Sequence, residues 1–239
     1  MKLFCLPHAG GSAVRIARAF GAGPGGLEPV PLELPGRGER WREPVYVDWS
    51  AATYDLAQRL VAELDHTGYA LFGHSFGALL AYEVAVWLRD IGAPPPSVLV
   101  VSGRNPPHLS PEATPFRAGE MSDEELFAAL VALGGAARAA AGPLTYRTFL
   151  PALREDLRLV RRYAATAGRR PLDVPLLVLY GRQDPLTAAA VMGQWSRYTS
   201  AGCQVHPFAG GHFFMLEQAA QVAAVIGRGA AVPALAAEV

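Results

Sequence analysis

Gly73-His74-Ser75-Phe76-Gly77 joins an apolar run, Tyr69-Ala70-Leu71-Phe72, to a helix-forming run, Ala78-Leu79-Leu80-Ala81-Tyr82-Glu83-Val84-Ala85. A G-x-S-x-G turn in that position requires a strand that stops and a helix that starts within a few residues, with the serine held on the bend. Gly73 and Gly77 remove the Cβ atoms that would collide with the neighbouring strand and helix, and the hydroxyl of Ser75 projects out of the sheet. A bend of this kind belongs to a chain in which strand and helix alternate, and the rest of the sequence does alternate. Strands are predicted near residues 2–6, 28–33, 69–73, 97–102, 175–180 and 202–207, and helices near 12–21, 50–64, 76–90, 187–199 and 214–227. Between 50 and 64, Ala57, Leu60, Val61 and Leu64 repeat at helical spacing behind Ser50 as the expected cap. Strand and helix in strict turn imply an α/β chain whose mostly parallel central sheet is covered on both faces.

The alternation breaks once. Between the strand ending near Ser102 and the strand starting near Pro175 lie about seventy residues, far more than one crossover helix needs. Within them, Ser122-Asp123-Glu124-Glu125 has the pattern of a capping box, and Leu126, Ala129, Leu130 and Leu133 form a stripe that stops at Gly134. A second stripe, Leu153, Leu157 and Val160, lies on a helix whose other side carries Arg154, Arg158, Arg161 and Arg162. The expectation is a single domain over residues 1–239, with an insertion at about 105–170 forming a helical lid over the serine. The last eleven residues, from Gly229, are an alanine-rich tail expected to fray.

A serine hydroxyl is a weak nucleophile at neutral pH and needs a base in hydrogen-bond reach and a third group to orient that base. In the α/β-hydrolase fold, where this turn belongs, the partners follow in the order serine, acid, histidine. Leu176-Leu177-Val178-Leu179-Tyr180 runs into Gly181-Arg182-Gln183-Asp184-Pro185, which places Asp184 in the loop after a buried strand. Asp184 also suits a plain helix cap before Pro185. Cys203-Gln204-Val205-His206 is a further strand, followed by Pro207-Phe208-Ala209-Gly210-Gly211-His212. His206 competes with His212, but it belongs to the strand itself, whereas Gly210-Gly211 supply the backbone freedom to turn His212 back toward the serine. The oxygen that becomes negative in a tetrahedral intermediate needs two backbone N–H donors. Phe76, directly after the serine, is one; Ala9 in Pro7-His8-Ala9-Gly10-Gly11-Ser12, after the strand-like Met1-Lys2-Leu3-Phe4-Cys5-Leu6, is the other candidate. The bland alternative for that loop is a glycine-rich connection of strand to helix.

With these residues in view, the chain resembles the stand-alone type II thioesterases that accompany polyketide synthases and nonribosomal peptide synthetases. The resemblance is carried by Leu6-Pro7-His8-Ala9-Gly10-Gly11-Ser12, Leu34-Pro35-Gly36-Arg37, Leu71-Phe72-Gly73-His74-Ser75-Phe76-Gly77-Ala78-Leu79, Val101-Ser102-Gly103-Arg104, Leu133-Gly134-Gly135, Gly181-Arg182-Gln183-Asp184-Pro185 and Gly210-Gly211-His212-Phe213-Phe214. These blocks stand in family order over nearly the whole chain. The resemblance implies Ser75 as nucleophile, His212 as general base, Asp184 as orienting acid, and Ala9 and Phe76 as oxyanion donors. It implies hydrolysis of acyl thioesters from the phosphopantetheine arm of acyl or peptidyl carrier proteins, an editing role in antibiotic-type biosynthesis, and no cofactor of the enzyme's own. Two departures stand out: the first matched strand begins almost at Met1, and an alanine-rich stretch, 136–142, replaces the short polar segment usual after Leu133-Gly134-Gly135.

Composition narrows the alternatives. The 239 residues are 51% apolar, enough for one large core, and 21 basic residues balance 21 acidic ones, so no general attraction to nucleic acid or anionic membrane is expected. Cys5 and Cys203 are too few for a disulfide framework, and the six histidines show no metal-ligand spacing with them. With no export signal and no long apolar run, the expected location is cytoplasmic, with no membrane partner. The four arginines of the lid helix either steer an acidic carrier protein or pair with Glu155 and Asp156. The competing functions are a dedicated product-release or acyl-transfer enzyme with the same triad, and a catalytically silent carrier-binding module on the same fold.

Overall fold

Side chains alternate along six strands, β1 (Lys2–Leu6), β2 (Glu28–Pro31), β3 (Tyr69–His74), β4 (Val98–Ser102), β5 (Leu176–Gly181) and β6 (Cys203–Phe208), and that alternation divides the core in two. The computed structural model describes residues 1–21, 26–65, 67–109, 120–135, 147 and 149–231. The strands pair in the order β2-β1-β3-β4-β5-β6, every pair parallel. Phe4, Leu6, Leu71, Leu99, Val101, Leu176 and Val178 face one layer, packing on Leu56 and Leu60 of α2 (Trp49–Ala62) and Leu80 and Val84 of α3 (Phe76–Asp90). Leu3, Cys5, Ala70, Phe72, Val98, Val100, Leu177 and Leu179 face the other. There they meet Ile16 and Phe20 of α1 (Ala13–Phe20) and, from the C-terminal helix Ala219–Ala231, Val222, Ala223 and Ile226. The edge strand β2 carries Pro29 and Pro31, which lack the N–H groups that would invite a further strand.

Between β4 and β5 stand the two predicted helices, α4 (Asp123–Ala132) and α5 (Leu150–Arg162). The capping box is present: the Ser122 hydroxyl accepts from the Glu125 N–H, and the Glu125 carboxylate accepts from the Ser122 N–H at 2.7 Å. Leu153, Leu157 and Val160 are buried, as their spacing predicts. On the other side of α5, Arg154 pairs with Asp123 at 2.6 Å and Arg158 pairs with Glu155, while Arg161 and Arg162 are exposed. The alanine-rich 136–142 lies outside the described residues.

Several boundaries differ from expectation. Asp48, not Ser50, caps α2, its carboxylate accepting from the Ala51 N–H at 2.7 Å, because the chain leaves extended geometry two residues earlier than predicted. Val61 is exposed, since the buried face of α2 runs through Ala52, Leu56, Ala57 and Leu60. The helix expected at 187–199 is a single turn, α6 (Ala189–Met192), that tightens at Gly193 into a 3-10 segment reaching Tyr198. The last predicted helix is two, α7 (Phe214–Glu217) and α8 (Ala219–Ala231). Helix α8 enters the expected tail as far as Ala231; 232–239 lie outside the described residues. Cys5 is buried and Cys203 only half-buried, both as free thiols. No helix among the described residues is long and apolar enough to cross a membrane.

Candidate active site

Ser75 sits between β3 and α3 with φ 57° and ψ −110°, and among the described residues it is the one non-glycine with positive φ. Such geometry costs of order 1–3 kcal/mol and persists only where the surroundings fix it. Here the Ser75 N–H donates to the Ser102 carbonyl at 2.7 Å, tying the bend to the end of β4. A Cβ on Gly73 would overlap the backbone of Gly77 and Ala78 in the helix, and one on Gly77 would overlap the carbonyls of Leu6 and Pro7. Both glycines of the turn are therefore required for close approach, as the sequence implies.

Asp184 and His212 meet across the ends of β5 and β6, with the Asp184 carboxylate 2.8 Å from His212 Nδ1 and both residues buried. The other Asp184 oxygen accepts from the Leu186 N–H at 2.9 Å. The two readings of Asp184 thus coexist: one oxygen holds its own loop and the other holds a histidine. The loops are joined further where the Gln183 N–H donates to the Gly210 carbonyl at 3.0 Å, and where the absence of a Cβ on Gly181 lets Gly210 and Gly211 approach. His206 stays on β6 with Gln204 as its side-chain partner, away from Asp184.

Ser75 and His212 line one small cavity, about 40 Å³, with His8 and Ala9 from the loop after β1, Arg104 from the loop after β4, Leu186 and Phe213. Leu130 and Leu133 at the end of α4 and Leu153, Leu157 and Val160 of α5 complete the wall. Two larger open clefts, about 510 and 640 Å³, border the segment from Tyr163 to Arg169 and contain neither Ser75 nor His212. Size does not locate the chemistry here; the reactive groups do.

The N–H groups of Ala9 and Phe76 donate no hydrogen bond among the described residues. Phe76 opens a 15-residue helix, whose first N–H groups lack intrahelical acceptors and carry its positive end. The loop of Ala9 is fixed from beyond the sheet. Gly10 donates to the Asp156 carboxylate at 2.8 Å, and Arg37 grips the same carboxylate through two nitrogens, at 2.6 and 3.0 Å. Burial pushes the Asp156 carboxyl up, against the lowering by Arg37 and the Gly10 N–H. This ion pair, between the Leu-Pro-Gly-Arg block and α5, is invisible in the sequence.

Three imidazoles surround the serine. Burial, with the neighbouring His212 and two arginines, pulls His8 down to about 3, and burial with His212 and His8 keeps His74 well below the usual range. His74 Nδ1 lies 3.0 Å from the Ser102 hydroxyl, and Phe213 packs edge-on against His8 and His212 at 4.8 and 5.1 Å between centroids. His8 and His74 are therefore neutral at working pH, leaving the histidine beside Asp184 as the one with a carboxylate partner.

A strand-to-helix serine, with an acid and a histidine meeting beyond the next-to-last and last strands of a parallel sheet, is how the α/β-hydrolase fold arranges its chemistry, and this chain has that fold. Comparison with known proteins narrows the class: the thioesterase domain model matches residues 1–229, and the chain belongs to the thioesterase family. It is 35% identical over 218 residues to a probable cadicidin biosynthesis thioesterase of Streptomyces griseus, covering 91% of this chain and 59% of that protein's length. Among solved structures it is similar to the RedJ thioesterase of the prodiginine pathway in Streptomyces coelicolor, with TM-score 0.83 and 36% identity over 95% of this chain and 85% of that one. It is similar also to the type II thioesterase BorB of the borrelidin cluster, with TM-score 0.83 and 33% identity over 96% of this chain and 92% of that one.

Proposed function

We propose that the chain is an editing type II thioesterase, hydrolysing acyl thioesters on the phosphopantetheine arm of acyl or peptidyl carrier proteins. The observation that carries this reading is the Asp184–His212 contact at 2.8 Å beside a cavity shared with Ser75 and Ala9. Asp184 holds the Nδ1–H of His212 and leaves Nε2 to take the proton from Ser75 as its oxygen attacks the thioester carbonyl. Ala9 and Phe76 N–H groups receive the oxyanion, and the thiol departs. His212 then activates water to cleave the acyl-Ser75 ester. A thiolate leaves more easily than an alkoxide, so proton delivery matters most in the second half. Helices α4 and α5 act as the lid, and the enzyme works with no cofactor of its own in the cytoplasm.

The likeness to the type II thioesterase BorB of the borrelidin cluster supports editing over release of a finished product. Ser75→Ala is the test: the variant should fold normally and lose thioester hydrolysis by roughly 10⁴-fold or more, because only binding and the oxyanion donors remain. Retained turnover would remove Ser75 as the nucleophile, whereas no hydrolysis and no fluorophosphonate labelling of Ser75 in the native protein would favour a binding module. An ester or amide product in place of the free acid would instead identify acyl transfer.

A further inference from the structure

The carboxylates buried among the described residues are those of Asp184, Asp156 and Glu33. Asp184 faces His212, and Asp156 faces Arg37 and the Gly10 N–H. Glu33 pairs with no cation among the described residues; three donors satisfy it instead. The Ser12 hydroxyl donates to its Oε2 at 2.6 Å, and the N–H groups of Ala13 and Leu34 donate to its Oε1 at 3.1 and 3.2 Å. Gly38, at φ 51°, leaves room for this side chain, since a Cβ there would stand 2.9 Å from Oε2.

Ser12 stands at the cap position of α1, where a serine hydroxyl ordinarily accepts from an N–H of the first turn. Here it makes no such bond and turns across to Glu33, whose other oxygen takes the Ala13 N–H. The exchange adds nothing to the helix that its own serine could not supply, but it ties the loop before α1 to the chain leaving β2. Strand β2 lies beside β1, and the Leu32 N–H donates to the Cys5 carbonyl at 3.0 Å, so the chain from Glu33 to Arg37 runs alongside the loop from Pro7 to Ser12. Glu33 holds that loop at Ser12 and Ala13. Arg37 holds it at the Gly11 carbonyl, at 3.3 Å, and through Asp156 at the Gly10 N–H. Within the loop the Gly11 N–H donates to the His8 carbonyl at 2.8 Å. Residues 10 to 13 are thus each tied down, whereas the Ala9 N–H is left without an acceptor at the wall of the Ser75 cavity.

We propose that Glu33 is a positioning residue for the reaction: its carboxylate fixes the α1 end of the loop so that the Ala9 N–H meets the oxyanion, as Asp156 fixes the Gly10 end. This rests on the thioesterase reading above, with Ala9 as an oxyanion donor. Glu33 touches no reacting atom, so its removal leaves the ground-state complex intact and weakens what is bound as the carbonyl becomes tetrahedral.

The test uses an acyl-N-acetylcysteamine and a trifluoromethyl ketone of the same chain, which Ser75 converts to a hemiketal whose oxygen takes the place of the oxyanion. In Glu33→Ala, at a temperature where circular dichroism shows the protein folded, kcat should fall roughly 10- to 100-fold with KM within about twofold, and the ketone should lose affinity in parallel. Glu33→Gln should recover most of both, because its amide oxygen accepts from Ala13 and Leu34 and its NH2 group donates to the Ser12 hydroxyl. A residue serving the fold alone would lower the melting temperature and leave kcat and ketone affinity of the folded protein unchanged. Should Glu33→Ala not fold, Ser12→Ala removes one arm of the link, and kcat and ketone affinity should each fall about 2- to 10-fold. Wild-type kcat in folded Glu33→Ala, or in Ser12→Ala where Glu33→Ala is unfolded, would overturn the proposal. So would a loss of kcat with ketone affinity unchanged. Failure of the thioesterase reading would show in the native protein, as no turnover of the thioester and no binding of the ketone, whereas failure of the Glu33 assignment leaves the native protein active.

Discussion

Asp184 divides its work between two oxygens, one on the Leu186 N–H and one on His212. Asp184→Asn separates the two duties. The amide oxygen still accepts from Leu186, so the loop survives, but the side chain no longer stabilises a protonated imidazole or fixes its tautomer. Turnover should fall roughly 10³- to 10⁴-fold with the melting temperature nearly unchanged. Turnover within tenfold of wild type would send the role of acid elsewhere. Ser75, Asp184 and His212 are legible in the sequence because each stands in a loop directly after an apolar run, and strand order alone brings those loop ends together. His8, Arg104 and Asp156 are not legible in that way. His8 and Arg104 sit within recognisable blocks, yet nothing in their spacing says that they face a cavity, and Asp156, expected on a solvated face or paired with the arginines of its own helix, pairs instead with Arg37, far away in the chain.

Helix α5 shows what the elements add. Its apolar stripe was readable, but its attachment was not, because that depends on Asp156 reaching Arg37 and Gly10, and on Trp49 of α2 donating to the Leu159 carbonyl at 2.8 Å. The caps show the same limit on a smaller scale, since Asp48 and Ser50 are both capable and only the backbone path chooses between them. Two of the four arginines on α5 are engaged with Asp123 and Glu155, which weakens any steering of an acidic carrier and leaves Arg161 and Arg162 to supply it. Asp156→Asn leaves the Arg37 charge buried and should cost about 3–5 kcal/mol in stability and slow turnover as well. In Arg37→Met/Asp156→Leu the unpaired charge is gone, so urea unfolding should recover most of that stability. The Gly10 N–H still lacks its acceptor there, so kcat should stay low. Full recovery of kcat in the double variant would show that the carboxylate only holds the fold and does not position the loop of Ala9.

Across the whole molecule, the two faces of the sheet bury their side chains in separate layers, and His8 and His74 are enclosed with them as neutral rings. The unfolded chain takes up a proton on each near pH 6.5, while folded His8 takes one only near pH 3 and folded His74 well below its ordinary range. Stability is then complete above about pH 6.5 and falls as the pH drops, by up to about 1.4 kcal/mol per pH unit for each histidine. Urea titrations at pH 7.5, 6 and 5 should show this slope, and His8→Gln should remove about one proton's share; a flat profile would mean that the rings are hydrated. Helix α3 lies so near the end of β1 that Gly77 has room for no side chain against Leu6 and Pro7. The spacing of the Ala9 and Phe76 N–H groups is thus set by main chain resting on main chain, whereas much of the remaining cavity wall is made by side chains of α4 and α5. The catalyst and its selectivity are separable parts: exchanging the segment between β4 and β5 with that of a relative should transplant substrate choice and leave the hydrolytic machinery running.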